Sequence, residues 1–151
     1  MLRVTAAPNT DVSRIEQEYV SSDFFAALSK SDVASEKFFA ELGFGDDWGY
    51  FNRAYALKRL GRLKRLQIAG DRLVCPVIYI GCANNLRRRM VELAWHGHTA
   101  NHPVWALLYA KWEFEVGLMA TEQGTQQPTE RQLKELYMRH HADRLPALVD
   151  R

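Results

Sequence analysis

Cysteine is scarce: Cys75 and Cys82 are the only two in 151 residues, too few for a disulfide-stapled scaffold. They flank a single apolar strand, so joining them would require bending it. Both are read as buried free thiols, the usual state of cysteine in a reducing compartment. Long apolar runs are missing too. None approaches the roughly 18–20 residues that a bilayer-spanning helix needs, and Met1-Leu2-Arg3-Val4-Thr5-Ala6-Ala7-Pro8 lacks a hydrophobic signal core. These absences set the expectation of a cytoplasmic protein with no membrane partner. Charged residues at 25% and hydrophobic residues at 47% are ordinary for a globular chain with one real core.

An overall bias of charge is also lacking, since the formal net charge is only +2. Its distribution is uneven. Residues 1–47 carry 4 basic and 9 acidic side chains, residues 48–98 carry 10 and 2, and residues 99–151 carry 6 and 7. A basic middle between two acidic or neutral flanks suits a face that meets a polyanion.

Residues 1–9 read as a loose lead-in. Thr10 or Asp11 is placed to cap a helix through Val20, and Ser21-Ser22-Asp23 interrupts it. A further helix follows from Ser31-Asp32, with Phe38, Phe39 and Leu42 on its apolar face. The chain therefore divides into an acidic helical segment, 1–47, and a second unit, 48–151. Trp48 to Leu60 reads as a helix. Arg62 to Ile68 reads as a half-exposed strand, with continuing helix the competing assignment. A turn at Ala69-Gly70-Asp71-Arg72 then leads to a returning strand, Leu73 to Ile80. Val104 to Ala110 reads as a short helix. Lys111 to Val116 alternates as a strand, with Trp112 and Phe114 on one face and Glu113 and Glu115 on the other.

The most informative stretch is Ile78-Tyr79-Ile80-Gly81-Cys82-Ala83-Asn84-Asn85-Leu86-Arg87-Arg88-Arg89. A β-branched and aromatic run ends at a glycine. An asparagine at 84 or 85 caps the helix that follows, and Leu86, Met90 and Leu93 lie on one face of it. Arg89 lies about 60° from Leu86 around that helix, at the margin of the apolar stripe. Arg87 and Arg88 point away. One arginine is thus held near the end of a strand that carries a phenol, an arrangement suited to phosphate. Further along, Thr129-Glu130-Arg131-Gln132 has a capping-box pattern. Leu133, Leu136, Tyr137 and His140 follow on one face, and Glu130 at its edge in the first turn.

Tyr79-Ile80-Gly81, with Arg89 ten residues after the tyrosine and Asn85-Leu86 between, resembles the second motif of the GIY-YIG nuclease superfamily. Thr129-Glu130 opening a leucine-bearing helix resembles its third, with Arg139-His140-His141 and Pro146 similar to its tail. The resemblance implies an α+β fold, a small mainly antiparallel sheet flanked by helices, here preceded by a helical segment. It implies metal-dependent hydrolysis of DNA phosphodiester bonds. In that scheme Glu130 binds Mg²⁺ (or Mn²⁺), Arg89 holds the scissile phosphate, and Tyr79 orients or activates the nucleophile. Arg87, Arg88, His96, His98, Lys58, Arg62, Lys64 and Arg65 would extend a track for double-stranded DNA. His96, His98 and His102 are spaced too loosely for a zinc site, with no cysteine to join them. The family's first motif, Gly-Ile-Tyr on the preceding strand, has no counterpart at Gln67, Ile68 or Ala69, leaving Tyr50 or Tyr55 as sources of a second phenol. Two other readings stand beside the nuclease. One is a catalytically inactive DNA-binding module, the other an adaptor whose acidic N-terminal helices bind a partner protein.

Overall fold

The computed structural model describes residues 1–7, 11–23, 25–26, 53–69, 72–94, 98 and 100–150. The helix expected from Ser31, along with Tyr50 and His96, lies outside them. The described elements run β1 (Leu2–Thr5), α1 (Val12–Val20), α2 (Arg53–Leu60), a 3-10 helix (Gly61–Arg65), β2 (Ile68–Ala69) and β3 (Arg72–Leu73). They continue with β4 (Val77–Tyr79), α3 (Leu86–Ala94), α4 (Asn101–Tyr109), β5 (Glu113–Val116) and α5 (Gln126–His140). Among the described residues, five α-helices and a three-stranded antiparallel sheet, with a short two-stranded one, make this an α+β fold, as expected.

The N-terminal residues are not a loose lead-in. Leu2–Thr5 is the central strand of the sheet, in the order β4-β1-β5, with Leu2 opposite both Tyr79 and Val116. Leu2 and Val4 are buried while Arg3 and Thr5 are exposed, the alternation of a strand with one face on a core. Asp11 caps α1 by accepting from the Ser13 amide at 2.9 Å. Ile15, Tyr19 and Phe25 join Leu2, Val4, Ile78 and Leu107 in one buried cluster, so described residues on both sides of position 47 share a core.

Helix α4 is the hub of that core. Asn101 through Leu107 are all buried, the signature of a helix enclosed on every side, and α1, α2 and α3 all pack on it. The chain leaves α4 through Lys111, at φ 65°, and enters β5. There Trp112 is buried and Glu113 and Glu115 are exposed, as the alternation predicts.

Between α2 and β4 the outcome differs from the strand expected at 62–68. Residues 61–65 form the 3-10 helix, and the hairpin shrinks to two residue pairs, Ile68 with Leu73 and Ala69 with Arg72. Arg62 is the reason. It is only 3% exposed, donates to Leu148 O at 3.2 Å and pairs with Asp150, whose carboxylate also takes Arg59 at 2.7 Å. Arg65 donates to Val149 O at 2.9 Å. These arginines hold the buried tail Pro146–Val149 against the sheet, where the Leu148 amide donates to Ile78 O at 2.8 Å. The outer edge of β4 is thereby covered rather than left open.

Candidate active site

Strand β4 delivers Tyr79 to the sheet's end, half-buried, between buried Ile78 and Ile80. The next residue but one must be glycine for a packing reason. A Cβ at Gly81 would run into the Tyr79 ring and hydroxyl, which fold back across it. Asn85 then caps α3, its Oδ1 accepting from the Arg88 amide at 2.9 Å.

Helix α3 supports Arg89 as expected, although its apolar stripe is shorter. Leu93 is buried, Met90 half-buried and Leu86 exposed. Glu92 orients the two last arginines, accepting from Arg88 Nε at 2.7 Å and pairing with Arg89 Nη1 at 3.1 Å. Arg87 and Arg88 remain exposed. The Nε of Arg89 is buried and has no hydrogen-bond partner among the described residues. Beside it lies a cavity of about 220 Å³ lined by Ala83, Asn84, Asn85, Arg88, Arg89 and Glu92.

Glu130 arrives from α5, 48 residues after Cys82, and its Oε2 accepts from the Cys82 amide at 2.8 Å. The carboxylate therefore sits at the exit of Tyr79-Ile80-Gly81. Its helix position differs from the expectation, because α5 begins at Gln126 with Thr125 as N-cap and Thr129 lies inside it. Pro128 is accommodated because first-turn amides lack intrahelical acceptors. Glu130 is thus in the second turn, beyond reach of the end amides. What keeps it ionised is its hydrogen-bond and charge partners. Burial opposes ionisation, but hydrogen bonds from Cys82 and Lys134 and the Lys134 charge outweigh it and lower its pKa. The inward stripe expected on α5 is also reduced to Tyr137, half-buried, with Leu133, Leu136 and His140 exposed.

His98 completes the group. Its Nδ1 accepts from the Ala100 amide at 3.1 Å, which requires that nitrogen to be unprotonated. Burial first, and then the Arg89 charge, pull its pKa down to about 4, so the ring is neutral at pH 7 and carries its proton on Nε2. That Nε2–H faces Tyr79 Oη at 3.1 Å and donates to it. Tyr79 therefore receives a hydrogen bond from His98 and directs its own hydroxyl proton elsewhere. Burial raises the phenol above its ordinary value, Arg89 opposes this, and Glu130 reinforces it. The phenol is neutral at pH 7, a donor rather than a standing phenolate.

The sign of the His98 shift yields a stability prediction. Between the unfolded value of 6.5 and about 4, the unfolded chain binds a proton that the fold excludes, so stability falls as pH is lowered through that window. We expect His98 to contribute roughly 2 kcal/mol of this loss, after discounting for solvent screening of a half-buried ring. Urea unfolding at pH 7, 5.5 and 4.5 should show a flatter profile for His98→Gln; identical slopes would assign the acid sensitivity elsewhere.

Tyr79 is thus linked to Arg89, Glu130 and His98, and His98 to Arg89, with Lys58 and Lys64 exposed on other elements. Arg62 and Arg65, expected on the nucleic-acid track, both hydrogen-bond the tail; Arg62 is buried there and Arg65 is exposed. Tyr55 lies on α2 with its ring beneath the Arg59 guanidinium, 4.8 Å to its centroid, and edge-on to His102. No group of three His, Cys, Asp or Glu placed to hold a metal occurs among the described residues. A single ionised carboxylate suits Mg²⁺ or Mn²⁺, which retain waters and take phosphate oxygens, and is too little for a zinc site. Sequence reasoning missed Lys134 and the pairing of His98 with Tyr79. The i,i+4 spacing of Glu130 and Lys134 was a visible signal for the first. A larger cleft of about 760 Å³, bounded by Lys64, Cys75, Tyr137 and His141, lies along the other half of α5 and contains none of Tyr79, Arg89, His98 and Glu130. Comparisons with protein-family models, curated proteins and solved structures found no match.

Proposed function

We propose that this protein is a GIY-YIG-like endonuclease that hydrolyses DNA phosphodiester bonds with a divalent metal. One observation carries the reading: Glu130 is hydrogen-bonded to the backbone immediately after Tyr79-Ile80-Gly81, uniting the two motifs on which the resemblance rests. Arg89, whose side chain is 32% exposed, holds the scissile phosphate through its guanidinium, a planar fork matched to phosphate oxygens. Tyr79, seated by Gly81 and His98, orients the attacking water through its hydroxyl. Glu130 holds the metal, which when bound supplies charge stabilisation at the phosphate and acidifies a bound water. Arg87 and Arg88 extend the contact to neighbouring phosphates, with Lys58 and Lys64 as further cations for the duplex.

A second reading is favoured by β1. The strand beside Tyr79 is Leu2-Arg3-Val4-Thr5 and carries no tyrosine, so a DNA-binding module without catalysis is its consequence. Supercoiled plasmid incubated with the protein and Mg²⁺ or Mn²⁺ separates the two. Nicking abolished by EDTA supports the nuclease. Salt-sensitive binding without nicking supports the module, and absence of both removes DNA as the partner.

A further inference from the structure

Both oxygens of the Glu130 carboxylate are engaged within the protein. Oε2 accepts from the Cys82 amide at 2.8 Å, and Oε1 meets Lys134 Nζ at 2.5 Å. These partners differ in kind. The Cys82 amide is fixed by the backbone and orients the carboxylate without neutralising it. Lys134 brings a full charge from one turn further along α5, on a flexible stem. The Glu130 and Lys134 side chains are 21% and 17% exposed, whereas the exposed i,i+4 pair of Arg14 and Glu18 is 68% and 48% exposed. Shielding makes the Lys134 pair firmer than an ordinary surface contact. An ammonium at this distance fills the lone-pair region through which a carboxylate oxygen binds Mg²⁺, at about 2.0–2.1 Å. Two cations cannot share that region without strong repulsion.

We propose that Lys134 is a built-in competitor for the divalent cation on Glu130, so that metal binding is an exchange of one cation for another. This rests on the reading of Glu130 as the metal ligand. The exchange makes Glu130 a weak metal site by itself. It becomes an effective one when a DNA phosphate adds an oxygen ligand and negative charge, so that metal and substrate bind each other's complex more tightly than the bare protein. Cys82 N–H keeps the carboxylate oriented throughout, leaving Lys134 as the part that moves.

The test is Mn²⁺ binding to the full chain without DNA, followed by the electron paramagnetic resonance signal of free Mn²⁺. It compares wild type, Lys134→Met, Lys134→Arg and the double variant Glu130→Gln/Lys134→Met. Lys134→Met should tighten Mn²⁺ binding on the order of tenfold, the scale of one partly screened ion pair. Lys134→Arg, which keeps the charge, should stay near wild type, and the double variant should lose the gain. Lys134→Gln serves if the methionine variant does not fold. An unchanged or weaker Glu130-dependent affinity in the neutral variants overturns the exchange and leaves Glu130 as the metal ligand. Absence of any Glu130-dependent Mn²⁺ binding, in wild type and neutral variants alike, overturns the metal reading and the exchange with it.

Discussion

Under the proposed nuclease reading, Glu130→Gln should lower the rate of Mg²⁺-dependent plasmid nicking by about a thousandfold, the scale expected when a principal electrostatic element of a phosphoryl-transfer site is removed. The substitution is chosen for what it preserves. A glutamine carbonyl still accepts from the Cys82 amide, now donating to Glu130 at 2.8 Å, so the contact between α5 and the Tyr-Ile-Gly exit survives. Lys134 loses a charged partner but lies on the same helix and retains access to solvent. The melting temperature should therefore move by no more than about 3 °C. Loss of activity at preserved stability isolates the carboxylate's charge. A variant that nicks at the wild-type rate would remove Glu130 from the chemistry and leave the Cys82 contact as its whole role.

The local features were legible because their causes are local. Asp11 and Asn85 are short polar side chains ahead of amphipathic runs, and each accepts an end amide as read. The alternation from Trp112 to Val116 identified β5 because a period of two survives whatever the strand pairs with. Strand β1 was missed for the opposite reason. Leu2-Arg3-Val4-Thr5 has only two apolar residues, and its partners are Val77–Tyr79 and Glu113–Val116, far along the chain. Nothing within four residues records such pairing. Apolar periodicity likewise identifies a face but not what lies against it: Leu86, Leu133 and Leu136 are on the expected faces and are exposed.

In the site, Tyr79, Arg89 and Glu130 were read from motif spacing, and the structure explains the glycine between the first two as space for the tyrosine's own ring. His98 was read only as a phosphate contact. Its partnership with Tyr79 depends on a tautomer set by the Ala100 amide, and a tautomer leaves no mark in sequence. The arginines of residues 59–65 show how composition misleads. A cluster of cations usually marks a solvated face, yet Arg62 is buried because Asp150 stands 88 residues away in sequence and beside it in space.

That pairing leads to the largest expected stability effect. Asp150→Ala should cost about 2–3 kcal/mol in urea unfolding at pH 7, somewhat below the usual penalty for orphaning a buried charge because the carboxylate itself reaches solvent. Arg62 stays buried after the change. Burial already lowers its pKa, and Asp150 is the carboxylate that opposes this. The penalty therefore belongs to the cation left behind, not to the lost pair. Arg62→Met/Asp150→Ala removes that cation and should recover most of the stability, leaving a deficit of about 1 kcal/mol, as when buried ion pairs are replaced by apolar groups. Hydrogen exchange locates the effect. The Leu148 amide, bonded to Ile78 O beside Tyr79, should exchange faster in Asp150→Ala and near the wild-type rate in the double variant. A cost below about 0.5 kcal/mol for Asp150→Ala, within the range of ordinary surface substitutions, would mean that the backbone carbonyls of Leu148 and Val149 hold the arginines unaided.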